Sequence, residues 1–76
     1  MKAVVYSTPS CPYCNQAKDY FKENNVEFED FNVAEDQAKA QEMVKKSGQM
    51  GVPVIDLEGT IIVGFDKAKI NEVLGL

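Results

Sequence analysis

The chain has two cysteines, Cys11 and Cys14, and only Pro12 and Tyr13 separate them. Two sulfurs at this spacing can form a structural staple, supply half of a metal site, or open and close as a redox pair. A staple closing so short a loop would add roughly 2 kcal/mol by chain entropy. Secreted proteins of this size usually carry several such bridges. Structural zinc takes four ligands, and the chain has neither a further Cys nor any His. Metal or Fe-S cluster carriage would therefore need a Cys-ligated dimer or a small thiol to complete the set.

Exchange accounts for the placement of the pair as well as its number. Pro12 suits the first position of a helix, where a missing N–H costs nothing. Cys11 would then be the N-cap, where free amides and the positive end of the helix dipole favour the thiolate and draw its pKa below the free value of ~8.5. Cys14, one turn further on, would point inward and be less ionised. Cys11 becomes the attacking sulfur and Cys14 the resolving one. Without histidine there is no imidazole to activate either thiol.

The elements that must hold this pair are readable in order. The apolar run at residues 3–6, halted by "STPS", reads as a strand buried on both faces. A helix from Pro12 carries Cys14, Ala17, Tyr20 and Phe21 on one face and ends at Asn24-Asn25. "VEFEDFNV" at 26–33 alternates as a half-exposed strand. Asn32 with Glu35 reads as a capping box for a second helix, which bears Ala38, Met43 and Val44 and closes with Lys45, Lys46 and Gly48. "VPVIDLEGTIIVGF" reads as a hairpin turning at Glu58-Gly59. Asp66 caps a last helix with Ile70, Val73 and Leu74 on one face and Gly75 at its end. The order β-α-β-α-β-β-α opens with a right-handed βαβ unit, and a Cys-x-x-Cys beside such a unit is a thioredoxin-like redox pattern.

Size and charge narrow the function. Residues 1–76 make one domain, which buries about 60% of its unfolded surface. A formal charge of −4 gives no general attraction to nucleic acid or anionic lipid. No stretch has the length of a signal peptide or a membrane span, so a cytoplasmic protein is expected.

"CPYC" after the first strand, "VPVI" opening the third and "GFD" after the fourth together resemble the glutaredoxins over nearly the whole chain. The resemblance implies an α/β thioredoxin fold: a four-stranded mixed sheet in order 2-1-3-4, the fourth strand antiparallel, flanked by three helices. It implies a monomeric glutathione-dependent thiol-disulfide oxidoreductase, with Cys11 and Cys14 catalytic. Its partners would be glutathione and disulfide-containing client proteins, with no bound cofactor. By the same likeness, a cis Val52-Pro53 peptide leaves the Val52 backbone free to pair with the cysteinyl part of glutathione. The Phe65 and Asp66 amides, after Gly64, take the γ-glutamyl carboxylate while the Asp66 side chain faces the ammonium. Tyr13 lines the groove.

Three positions depart from the family pattern. Thr8 replaces a lysine three residues before the first Cys, Gly51 replaces a threonine before Val-Pro, and Val63 replaces the first glycine of a Gly-Gly pair. Lys39 or Gln41 on the second helix is then a candidate for the missing carboxylate contact. A neighbouring function shares the chemistry: an electron donor recharged by thioredoxin reductase, for example for ribonucleotide reductase.

Overall fold

The computed structural model describes residues 2–76, in seven elements. These are β1 (Lys2–Ser7), α1 (Pro12–Glu23), β2 (Glu27–Asn32), α2 (Gln37–Ser47), β3 (Val54–Leu57), β4 (Thr60–Val63) and α3 (Lys67–Leu74). The sheet order is β2-β1-β3-β4, as the resemblance implies. Its β1–β2 pair is parallel, and β1–β3 and β3–β4 are antiparallel. β3 is therefore the strand that runs against the other three, and β4, expected as the antiparallel strand, is antiparallel to its neighbour β3 but points the same way as β1. The architecture is the thioredoxin fold.

Alternation along the central strands feeds two cores, because successive side chains leave a strand on opposite faces. Ala3 and Val5 of β1, Ile55 and Leu57 of β3, and Ile62 of β4 join Ala17 and Phe21 of α1 and Ile70 of α3. On the other face Tyr6 and Val54 pack with Met43 of α2. This two-sided burial explains why β1 reads as an unbroken apolar run. β2, an edge strand, keeps Phe28 for the first core and Phe31 for the second, and exposes Glu27 before them and Glu29 and Asp30 between them. Those acids also blunt an edge that would otherwise invite strand pairing.

Helix ends follow local chemistry, with one correction. The Asp36 side chain, rather than Asn32, caps α2, accepting from the Lys39 N–H at 3.1 Å. Asn32 is unavailable because its Oδ1 accepts from the Ala34 N–H at 3.0 Å, folding residues 32–36 into a turn that β2 must make before the helix begins. α2 and α3 end on Gly48 and Gly75 in the left-handed region. The hairpin turns at Glu58 and Gly59, both at positive φ. Among the described residues, no helix is long and apolar enough to cross a membrane.

A polar network ties α2 to the sheet. Tyr6, wholly buried, donates its hydroxyl to Glu42, while Lys46 donates to the Tyr6 oxygen at 2.9 Å and to Asp56 at 3.0 Å. Burial works against ionisation of Asp56, but the Lys46 hydrogen bond, the Gly59 amide and the Lys46 charge hold its carboxyl below the ordinary value. Lys46 is raised by its hydrogen bonds to Tyr6 and Asp56. Burial and the bond to Glu42 raise Tyr6.

Candidate functional site

The site begins where β1 stops. Cys11 is the N-cap of α1, with φ −97° and ψ 107°, and Pro12 opens the helix as its sequence requires. The Cys14 N–H donates to Cys11 Sγ at 3.2 Å, so the leading sulfur receives an opening amide of the helix. Cys14 is wholly buried and Cys11 is partly exposed, which is the asymmetry expected of a resolving and an attacking sulfur. The two are joined by a disulfide with Cα atoms 5.2 Å apart.

Below the pair, the loop is fastened on both sides. The Cys11 N–H donates to the Thr8 carbonyl at 3.3 Å, and the buried Ser7 donates its hydroxyl to Asp30. Lys18, one turn beyond Cys14, pairs with the same Asp30 at 2.8 Å. These contacts bind the end of β1 and the first turns of α1 to β2.

At Tyr13, the residue just before Cys14, opens a cavity of about 360 Å³, lined by Tyr13, Val52, Pro53, Val63, Gly64, Phe65 and Asp66. All six residues anticipated as a binding groove are therefore brought together. Val52-Pro53 is cis. The Gly64 N–H donates to the Pro53 carbonyl at 2.8 Å, which fixes the start of the Gly64–Asp66 segment against the loop before β3. Asp66 caps α3 through the Lys69 N–H at 3.2 Å. Among the described residues, the N–H groups of Phe65 and Asp66 donate to no protein acceptor.

Val63 is the lining residue that sequence reasoning missed as a site member; it was visible only as a departure from a glycine pair. Half exposed as the last residue of β4, it adds an apolar side chain to the wall. The Gly51 departure also has a local account. Gln49 folds onto that residue, donating to the Gly51 carbonyl at 3.0 Å and accepting from its N–H. A Cβ at Gly51 would lie 2.7 Å from Gln49 Oε1, so this amide bridge goes with the glycine. Lys39, a candidate carboxylate contact, is instead engaged on α2, 3.5 Å from Glu42 and over the Phe31 ring at 4.2 Å. Gln41 is exposed and borders a separate apolar depression with Val44 and Met50. Neither residue lines the cavity beside the cysteines.

The chain is similar to several known proteins across this frame. It is 50% identical over 70 residues to an uncharacterized glutaredoxin-like 8.6 kDa protein in the rubredoxin operon of Clostridium pasteurianum, covering 92% of this chain and 93% of the relative. The crystal structure of the thioredoxin-like protein BC3987 superposes with a TM-score of 0.88 at 30% identity, over 93% of this chain and 97% of that one. NrdH-redoxin of Escherichia coli, a glutaredoxin-like protein with a thioredoxin-like activity profile, superposes with a TM-score of 0.80 at 25% identity, over 95% and 93%. The glutaredoxin family model matches residues 3–62, from β1 through the hairpin. With its redox-active cysteine pair at the head of α1, the chain belongs to the glutaredoxin family of thiol-disulfide oxidoreductases.

Proposed function

We propose that the protein reduces protein disulfides and glutathione mixed disulfides through Cys11 and Cys14, drawing its electrons from glutathione in a reducing compartment such as the cytoplasm. The observation that carries this reading is the gathering of Tyr13, Val52, Pro53, Gly64, Phe65 and Asp66 around one cavity, which Tyr13 links to the cysteines on either side of it in the chain. An extended glutathionyl group can pair with the Val52 backbone and set its γ-glutamyl carboxylate on the unpartnered amides of Phe65 and Asp66.

The chemistry follows from the two positions. Cys11 thiolate, favoured by the amides at the head of α1, attacks one sulfur of the substrate disulfide and expels the other as a thiolate. The resulting mixed disulfide is attacked by Cys14, which loses its proton, forms the Cys11–Cys14 bond and releases the second thiol. Two electrons have moved from the dithiol to the substrate. Two molecules of glutathione reverse the change: the first attacks Cys11, forming a mixed disulfide and releasing the Cys14 thiol, and the second attacks the bound glutathionyl sulfur, releasing Cys11 thiolate and oxidised glutathione.

A second reading is favoured by one feature of the cavity: no lysine among the described residues lines it, and Thr8 stands where a cation is common in the family. That arrangement suits a donor recharged by a flavoprotein thioredoxin reductase, in keeping with the similarity to NrdH-redoxin. Turnover on one disulfide client, driven by glutathione with its reductase or by thioredoxin reductase, decides between them. The first reading expects the glutathione system to be at least ten-fold faster, and faster turnover with thioredoxin reductase would overturn it.

A further inference from the structure

Tyr20 sits on α1, six residues past Cys14 and outside the cavity lining. Its side chain meets the opposite wall at three points. The phenol donates to Asn71 Oδ1 on α3. Its ring meets Phe65 edge-on, with centroids 5.8 Å apart. The Lys67 ammonium lies 5.0 Å from its centroid. Phe65, Lys67 and Asn71 bracket the start of α3, the same segment whose Phe65 and Asp66 amides lack partners. No other polar side chain is seen to link α1 to this segment among the described residues.

We propose that Tyr20 is a positioning residue: from the helix that carries the cysteines, it holds the Gly64–Lys67 segment so that the free amides stay at the cavity wall. The Gly64 bond to the Pro53 carbonyl and the Asp66 bonds to Lys69 and Ile70 tie this segment to the loop before β3 and to α3, and the polar contact of Tyr20 ties it to α1. An edge-to-face aromatic contact fixes the angle of approach, and the hydroxyl bond fixes the turn of the helix behind it. The inference deepens the glutathione reading and rests on it for the identity of the ligand.

The test uses Tyr20→Phe, which keeps the ring and removes only the hydroxyl, with Asn71→Ala and the double variant. Substrates are one peptide carried as its glutathione mixed disulfide and as its cysteamine mixed disulfide, which lacks the γ-glutamyl group. The expected result is a KM about five-fold higher for the glutathione adduct, the equivalent of one neutral hydrogen bond. kcat should be unchanged, as should both constants for the cysteamine adduct. The double variant should be no worse than either single one, since both remove the same bond. Amide hydrogen exchange should quicken at Gly64, Lys69 and Ile70, whose N–H groups are bonded within or beside this segment, in Tyr20→Phe and stay constant at Cys14 and Asn15. Unchanged exchange at Gly64, Lys69 and Ile70, or equal losses on both substrates, would overturn the role assigned to Tyr20. A wild-type protein without preference for the glutathione adduct would overturn the glutathione reading alone, and the exchange measurement would still decide the role of Tyr20.

Discussion

Replacing Lys46 with methionine tests how the sheet holds the loop that carries Val52 and Pro53. Lys46 and Asp56 lie on either side of that loop, 3.0 Å apart, and the same ammonium reaches the Tyr6 oxygen at 2.9 Å. Methionine keeps the apolar stem and removes both charge-assisted bonds. Buried, such bonds contribute about 1.5–3 kcal/mol each. The Lys46 side chain is 35% exposed and that of Asp56 is 16% exposed, so water screens the pair and the lower end applies to the two together. The expected loss is about 2 kcal/mol, which lowers Tm by roughly 8–16 °C for a domain of this size. Thermal unfolding of both proteins by circular dichroism measures it.

The pH dependence carries its own sign. The folded Asp56 carboxyl lies below its ordinary 3.8, so its pairing with Lys46 stabilises the fold above that value and is lost as pH falls through the folded value. Lys46 is raised above 10.5, so its contribution is complete below that value and lost as pH rises through the folded one. The gap between wild type and Lys46→Met should therefore be widest between these limits and narrow at the acid end, leaving only the Tyr6 bond. A gap below ~0.5 kcal/mol at neutral pH would mark the network as an ordinary surface pair. A gap that stayed constant into strong acid would refute Asp56 as the partner. Alkylation of the reduced Cys11 at 25 °C is the control: it should not change in the folded variant, because no member of this network is hydrogen-bonded to Cys11 or Cys14.

Three further outcomes are expected. Cys11→Ser should lose all exchange activity, whereas Cys14→Ser should keep turnover of glutathione mixed disulfides and lose most of its activity on protein disulfides; parallel assays of both substrates check the assignment, and equal loss on a glutathionylated substrate would reverse it. In Cys14→Ser the rate of Cys11 alkylation against pH should titrate below the free-thiol value of ~8.5, since the backbone N–H at position 14 still reaches the sulfur. Asp66→Asn should keep the cap on α3 and most of the stability, while Asp66→Ala should lose about 1 kcal/mol; if the carboxylate also faces a ligand ammonium, both should raise KM for glutathione mixed disulfides, and a rise in Asp66→Ala alone would assign Asp66 to the cap only.

Features set by near neighbours were the legible ones. Cys11-Pro12, Asn24-Asn25, Glu58-Gly59, Asp66 and Gly75 each mark an end or a turn, because the residue type itself satisfies or permits the local backbone. The capping of α2 was misread because Asn32 and Asp36 both suit the role. The choice between them depends on the turn that leaves β2, which the spacing to Glu35 does not reveal. The network of Tyr6, Glu42, Lys46 and Asp56 was hidden for a different reason. Its bonded partners are up to 40 residues apart, and each alone reads as a strand aromatic or a solvated charge. Tyr20 was likewise visible only as one residue of an apolar helix face.

These long-range contacts explain how so short a chain can present two unlike sulfurs beside a groove. α1 performs three tasks along its length: its first amides receive Cys11, its inner face buries Cys14, Ala17 and Phe21, and Tyr20 braces the start of α3. Displacing that helix would disturb the sulfurs and the far wall together, so their relative geometry is held by one rigid element rather than by loops meeting across the cavity. No lysine among the described residues lines the cavity, so any carboxylate held there would depend on backbone dipoles, which are fixed in direction and effective only at close range. Such a groove would select by fit more than by charge. The expected signature is a KM for glutathione mixed disulfides that, in Asp66→Asn, changes little between low and moderate salt, while a groove lined with cations would weaken steadily as salt rises.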